Sequence, residues 1–270
     1  VSEIWAQFCR ELEQAGQAVL TSNLASGEMD RAEGMRYLSR LARVGLDMFV
    51  EHADPAFPSF YQASHATAKI GSDNPDNLYQ NATISDDYAY RIWGTRGTVP
   101  ILSFGTKANR YRIDGTMAST GELDIRDMQL GEDGSFELIV SREKQAGNWL
   151  PLEADSSMLI VRQTFFDKSQ EVPAEVQIEA LDSPGHPAPL DVAGLAEGLS
   201  RVPAFVKGTS ETFIRWAELF RSENKNALST VDQRRSDDLL SPWLVGTGTG
   251  SGPAYHGGDP GVRRLEFPAQ

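Results

Sequence analysis

The sequence predicts an α+β protein with an N-terminal helical hairpin, an antiparallel β jelly-roll or sandwich body, and C-terminal helices with an irregular tail. Three observations carry this. Apolar residues recur at helical spacing up to about position 50. Between positions 79 and 180 the period changes to two, turn residues punctuate it, and no strand–helix–strand alternation argues for a parallel sheet. Helical spacing returns after the prolines Pro184, Pro187 and Pro189.

The first helix is expected over 3–20, with Ser2 as its cap, Glu3 in its first turn, and Ile4, Trp5, Phe8, Leu12, Ala15 and Val19 on one face. Cys9 falls on this face and reads as a packed thiol. After the turn signal Ser26-Gly27, Asp30-Arg31-Ala32-Glu33 resembles a capping box. Met35, Leu38, Leu41, Val44, Met48 and Phe49 carry a second helix to about 50, paired with the first as a hairpin. Residues 53–62 hold Pro55, Pro58, Phe57, Phe60 and Tyr61, an extended aromatic connector. Strands are expected at 79–84, 88–93, 98–104, 109–114, 135–141, 157–165 and 174–180. A short helix over 191–202 and a second one capped by Thr209 or Ser210, with Phe213 and Trp216 inward, follow the proline-rich linker. The resulting division is 1–65 helical, 66–182 β, 183–240 linker and helices, and 241–270 a glycine-rich irregular tail.

Composition excludes several classes. The chain carries 25 basic and 38 acidic side chains, a net charge of −13, and its excess acidity lies within residues 1–220. Such a surface repels phosphate backbones and anionic lipid, so neither nucleic acid nor membrane is expected as a partner. A single cysteine forms neither an intrachain disulfide nor a thiolate metal cage. His52, His65, His186 and His256 show no metal-ligand spacing, so no metal and no cofactor are expected. No apolar run approaches the ~20 residues of a membrane span, and no leader pattern opens the chain. A cytoplasmic protein is the expectation.

The densest polar stretch runs from Lys69 to Tyr79 and contains Asp73, Asn74, Asp76 and Asn77. It supports two readings. Asp73 or Asp76 acts as acid or base and Tyr79 as a proton donor, with Lys69, Asn74 and Asn77 binding a polar substrate. Alternatively Asn-Pro-Asp-Asn is a tight turn whose side chains bond their own backbone. Asn148-Trp149 before Leu150-Pro151 either lines a pocket or caps the core. Alternation puts Met158, Ile160, Arg162 and Thr164 on one face, where Arg162 needs an anionic partner from the protein or from a ligand. The Gly246–Gly252 run lacks the Gly-Lys-Ser/Thr ending of a phosphate loop.

Taken in order, "KIGSDNPDNLYQNATI", "YRIWGTRGTV", "DGSFELIVS", "GNWLPL" and "LIVRQTFFD" resemble the domain of unknown function 1214 family of bacterial proteins. The matching residues are Asn74, Asp76 and Tyr79, then Asn148, Trp149, Leu150 and Pro151, then Arg162, with "DRAEGMRYLSRLAR" similar in the helical lead-in. The resemblance covers roughly residues 3–225. It implies a jelly roll preceded by helices, a pocket on the sheet as in peptide N-glycosidase-like proteins, and no shared reaction. In longer relatives a second β half is expected where this sequence stops; either the chain is a naturally short form or a second half is missing, and a missing half would leave apolar surface for a second copy or a partner subunit to cover.

The functional expectation is a cofactor-independent enzyme, of lyase or hydrolase type, acting on a small hydrophobic metabolite or glycoside. It rests on the distant asparagine-bearing loops opening onto one hollow. The alternative is a non-catalytic ligand-binding or assembly subunit.

Overall fold

The computed structural model describes residues 1–223 apart from Ala25 and Ser72. The glycine-rich run, Arg234-Arg235, Arg263-Arg264 and the expected tail lie outside the described residues. Two helices, α1 (Ser2–Leu20) and α2 (Glu28–Leu46), open the chain, and α2 runs into a π-turn at Asp47–Glu51. Eight strands follow: β1 (Asn77–Thr83), β2 (Tyr90–Thr95), β3 (Ile101–Arg110), β4 (Thr116–Asp124), β5 (Ser135–Ser141), β6 (Trp149–Pro151), β7 (Met158–Thr164) and β8 (Glu175–Ala180). A long helix, α3 (Val192–Glu223), closes the described chain. The fold is α+β, with a β-sandwich body. No helix among the described residues is long and apolar enough to cross a membrane.

The strands form two four-stranded sheets, ordered β1-β7-β3-β4 and β6-β5-β2-β8. All pairings are antiparallel except β5 with β6. The odd and even positions of β7 show how the first sheet is used. Leu159 and Val161 face the second sheet, in a core with Leu102, Phe104, Ile92 and Leu138. Met158 and Ile160 face the helices, in a second core with Leu41, Val44, Tyr79, Val202 and Phe205. The first sheet is therefore covered on both faces, one by a sheet and one by helices. The N-terminal region does not stand apart from the β body, because α1, α2 and α3 share this second core.

Several sequence expectations change. The helix expected at 191–202 and its successor are one helix of 32 residues containing Pro203. A proline inside a helix costs about 3 kcal/mol, but Leu199, Val202, Phe205 and Val206 are buried around it. At about 2 kcal/mol for each such side chain, their burial outweighs the lost hydrogen bond. Thr209 and Ser210 lie buried within the helix instead of capping it. The cap is Asp191, whose carboxylate accepts the Gly194 N–H at 2.7 Å. The first helix starts at Ser2 itself. The second starts at Glu28, where Asp30 reaches back to the Gly27 N–H at 3.0 Å. Cys9 and Trp5 are exposed, not packed. The strand expected at 109–114 is the end of β3 and a turn in which Arg110 accepts backbone bonds from Ile113, Asp114 and Gly115. Strands β4 and β6 were not foreseen. The polar Ser119, Thr120 and Glu122 and a bulge at Thr106/Lys107 blur the alternation of β4, and β6 has only three residues.

Helix α3 approaches two backbones closely. A Cβ on Gly198 would stand 2.3 Å from the Phe49 carbonyl oxygen, and one on Gly208 would stand 1.9 Å from that of Tyr111. These glycines let α3 lie directly on the π-turn and on the β3–β4 turn. Gly208→Ala forces the helix off Tyr111 and is expected to cost about 2–3 kcal/mol in urea unfolding. Gly185→Ala, where a Cβ meets nothing within 4 Å, leaves the midpoint unchanged.

Candidate functional site

The Lys69–Tyr79 stretch folds as a turn leading into β1. Asn74 Oδ1 accepts the Asp76 N–H at 2.9 Å, and the Asn74 carbonyl accepts the Asn77 N–H at 3.1 Å. The Tyr79 hydroxyl accepts the Asn74 N–H at 3.1 Å and the Asn77 side-chain N–H at 3.0 Å. Lys69 pairs with Asp73 at 2.7 Å. Asp76 is exposed, and its carbonyl accepts the Phe165 N–H at 3.0 Å. These are the bonds of the turn reading. Arg162 is the register partner of both Tyr79 and Ser103, so it stands on the helix-facing side of the first sheet beside Tyr79.

Asn148 and Trp149 sit elsewhere. They lead into β6, in the second sheet, on the side where Pro151 meets β3 and β4, whereas β1 is the opposite edge of the first sheet. The surface cavity that Asn148 helps to line, about 510 Å³ on the outer side of the second sheet, includes none of residues 69–79. Among the described residues the two loops do not open onto a common hollow. The reason is topological: the two asparagine loops flank strands at opposite edges of different sheets.

The outer cavity also has little left to offer a ligand. The Asn148 amide accepts the Gln129 N–H at 2.7 Å and donates to the Gln129 and Glu137 carbonyls at 2.9 and 2.8 Å. Both donors are thus committed to the backbone. Arg91 donates to Glu137 and Glu179 and lies 4.8 Å over the Trp93 ring. The Trp149 indole N–H donates to Ser141 at 3.1 Å.

A second cavity, about 420 Å³, opens between the helices and the first sheet. Its apolar wall comes from Met48 and Phe49 of the π-turn, Pro55 of the connector, Ile84 after β1, and Met158 of β7. Polar groups come from Tyr61, Asn109, Arg112 and Arg201. Each is placed by a different element. Tyr61 bridges to Asn81, exchanging backbone bonds of 2.9 and 2.7 Å, and so extends the sheet past its β1 edge. Its ring stacks on His52, centroids 5.1 Å apart, and His52 is held by Ser59 at 2.7 Å. The Tyr61 hydroxyl is buried and has no hydrogen-bond partner among the described residues. Burial, with Asp47 adding to it, pushes this phenol far above its ordinary pKa, so it stays a protonated donor. Asn109 sits at the end of β3 with its amide against the Met48 and Met158 sulfurs, at 3.6 and 3.9 Å. The size lies within the ~300–1,000 Å³ of small-molecule sites. The π-turn in its wall is a rare conformation that recurs at functional positions.

Sequence reasoning placed Tyr61 in the aromatic connector and Met158 in a strand but joined neither to a site. Residues 48, 61, 109, 158 and 201 share no spacing; only the aromatic cluster before the first strand hinted at this corner.

A buried charge pair was also missed. Lys107, 1% exposed, donates to Ser119 at 2.8 Å and to Glu122, which keeps one side open to solvent. Burial lowers the Lys107 pKa, and the attraction of Glu122 only partly offsets it. Among the described residues no group of three or more His, Cys, Asp or Glu is placed to hold a metal ion.

The site thus defines a β-sandwich protein with a helix-capped cavity of small-molecule size. The chain is similar over 86% of its length to an uncharacterised protein from Burkholderia cenocepacia of known crystal structure, at 47% identity and a TM-score of 0.82. It spans 64% of that protein's length. The VPA0106 protein of Vibrio parahaemolyticus aligns with 85% of this chain and 55% of its own at 12% identity, with a TM-score of 0.31. No protein-family model and no curated protein matches the sequence.

Because the native Lys107 pKa is depressed, the unfolded chain binds more protons than the native one as pH approaches 10.5. The stability contributed by this site therefore rises with pH through that interval. The advantage of wild type over Lys107→Met in urea unfolding is expected to grow from neutral pH toward 10.5. The buried phenols Tyr37, Tyr61 and Tyr90, which oppose ionisation in the native state, act equally in both proteins and cancel from the difference.

Proposed function

We propose that this chain is a binding protein for a small hydrophobic organic molecule, held in the cavity between the helices and the first sheet. The observation that carries the reading is the Tyr61 hydroxyl: buried in the wall of an apolar cavity and unpaired among the described residues. Leaving a buried hydroxyl unpaired costs about 1–3 kcal/mol, a cost that a ligand acceptor removes on binding. The acid/base step expected of Asp73, Asp76 and Tyr79 forms no part of the proposal, because Asp73 is paired with Lys69 and the Tyr79 hydroxyl anchors the turn. The sequence blocks support placing the chain with the domain of unknown function 1214 family. Its acidic composition and lone cysteine fit a bacterial cytoplasm.

A second reading, assembly with another chain, is favoured by the apolar residues that α1 and α2 leave outward: Trp5 at 59%, Met29 at 79% and Met35 at 58% exposure. Native mass measurement separates it from a monomer.

The neutral fluorophore N-phenyl-1-naphthylamine tests the cavity. Ala53 lines the cavity and is partly exposed, so saturable binding is expected for wild type and is lost in Ala53→Trp with no change in unfolding midpoint. Absence of saturable binding to wild type overturns the reading. Tyr61→Phe is expected to raise stability by about 1 kcal/mol while weakening ligands that present an acceptor, as calorimetry will show.

A further inference from the structure

The cavity's charge is at odds with that of the chain. The protein carries 38 acidic against 25 basic side chains, yet no Asp or Glu lines this cavity and two arginines do. We propose that it selects an amphipathic monoanion, a carboxylate with an acyl or aryl tail. The inference rests on the cavity reading above and adds the ligand's chemical class.

The two guanidinium groups reach the cavity from separate parts of the chain. Arg112 belongs to the β3–β4 turn and Arg201 to α3. Contact of Gly208 with the Tyr111 carbonyl fixes how these elements sit. Arg201 lies seven residues before Gly208, about 10 Å back along the helix axis. Both arginines line the same cavity as the apolar Met48, Phe49, Ile84 and Met158.

Their pairing states differ from that of a neighbour. Arg110 is neutralised by Asp114 and Asp155 at 2.8 and 2.9 Å. Arg112 makes no such pair among the described residues, and Arg201 is paired with the exposed Glu197 one turn away. With Arg201 matched by Glu197, Arg112 is, among the described residues, the one lining guanidinium left for a single carboxylate. That balance suits a carboxylate better than a dianionic phosphate. Guanidinium forks match carboxylate geometry, and the bonds are charge-assisted. The tail's length follows from the volume. A tail of ten carbons, each taken at about the volume of one water, roughly 30 Å³, fits the cavity of about 420 Å³.

The test is displacement of N-phenyl-1-naphthylamine from the full chain by decanoate and by decanol. Decanoate is expected to displace the probe at about tenfold lower concentration than decanol. Arg112→Gln and Arg201→Gln each reduce that ratio several-fold, and the double variant brings it to unity. Both arginines are at least partly exposed, so the variants are expected to keep the wild-type unfolding midpoint. Glu197→Gln, which releases Arg201, raises the ratio. If the probe binds but decanoate and decanol displace it equally, or the arginine variants leave the ratio unchanged, the anion inference is overturned while the cavity reading stands. If wild type binds no probe, the cavity reading fails and takes this inference with it.

Discussion

The first sheet must be buried on both of its faces, and the rest of the molecule follows from how the two faces are covered. One face is mostly apolar, with Gln163 and Thr106 buried in it and hydrogen-bonded, and meets the second sheet. The other mixes Met158, Ile160 and Met117 with Lys107, Asn81 and Arg162, and meets helices. A sheet face of mixed character cannot pack like an oil-filled core, since each buried polar group needs a partner. Asn81 finds the Ala63 N–H and the Met158 sulfur. Lys107 finds Ser119 and Glu122. These local satisfactions set which parts of the face the helices can close over.

Helix α3 packs on α1 and α2 and closes the corner at the β3–β4 turn. Its two close approaches, to Phe49 and to Tyr111, need glycine because a carbonyl oxygen occupies the place of a side chain. Between them the helix spans the corner where α2 relaxes into a π-turn. That turn and the proline-bearing connector line the cavity together with the end of β3. The cavity is the space left there, with a polar rim because it lies where sheet, turn and helix ends meet. It is therefore a consequence of the packing, and the unpaired Tyr61 hydroxyl marks where that packing leaves a polar group unserved.

Much of the architecture was legible from local pattern. The helical stretches, the change to period two and the paired turns at 85–87 and 131–134 all come from short-range preferences that residues carry with them. The face assignment of Met158, Ile160 and Arg162 followed from alternation alone. The turn chemistry of Asn74, Asp76 and Asn77 was legible too, as one of two readings, because such side chains bond their own backbone within a few residues. What failed were inferences that joined distant segments. Asn148 and Tyr79 looked like parts of one site because both are polar and flank strands. Strand order separates them, and nothing local encodes strand order. Thr209 or Ser210 looked like the cap of a second helix, but burial of Val202, Phe205 and Val206 overrode that local signal.

By itself, then, the sequence determined the α+β class, most of the elements and which residues of β7 share a face, since periodicity is a property of consecutive residues. Tertiary structure alone decided that Met48, Tyr61, Asn109 and Met158 enclose one cavity, and that Arg112 and Arg201 line it too. The physical reason is that a cavity is defined by the gap between packed surfaces. Its walls are brought together by the mutual burial of both sheets and α3, which no stretch of residues specifies alone.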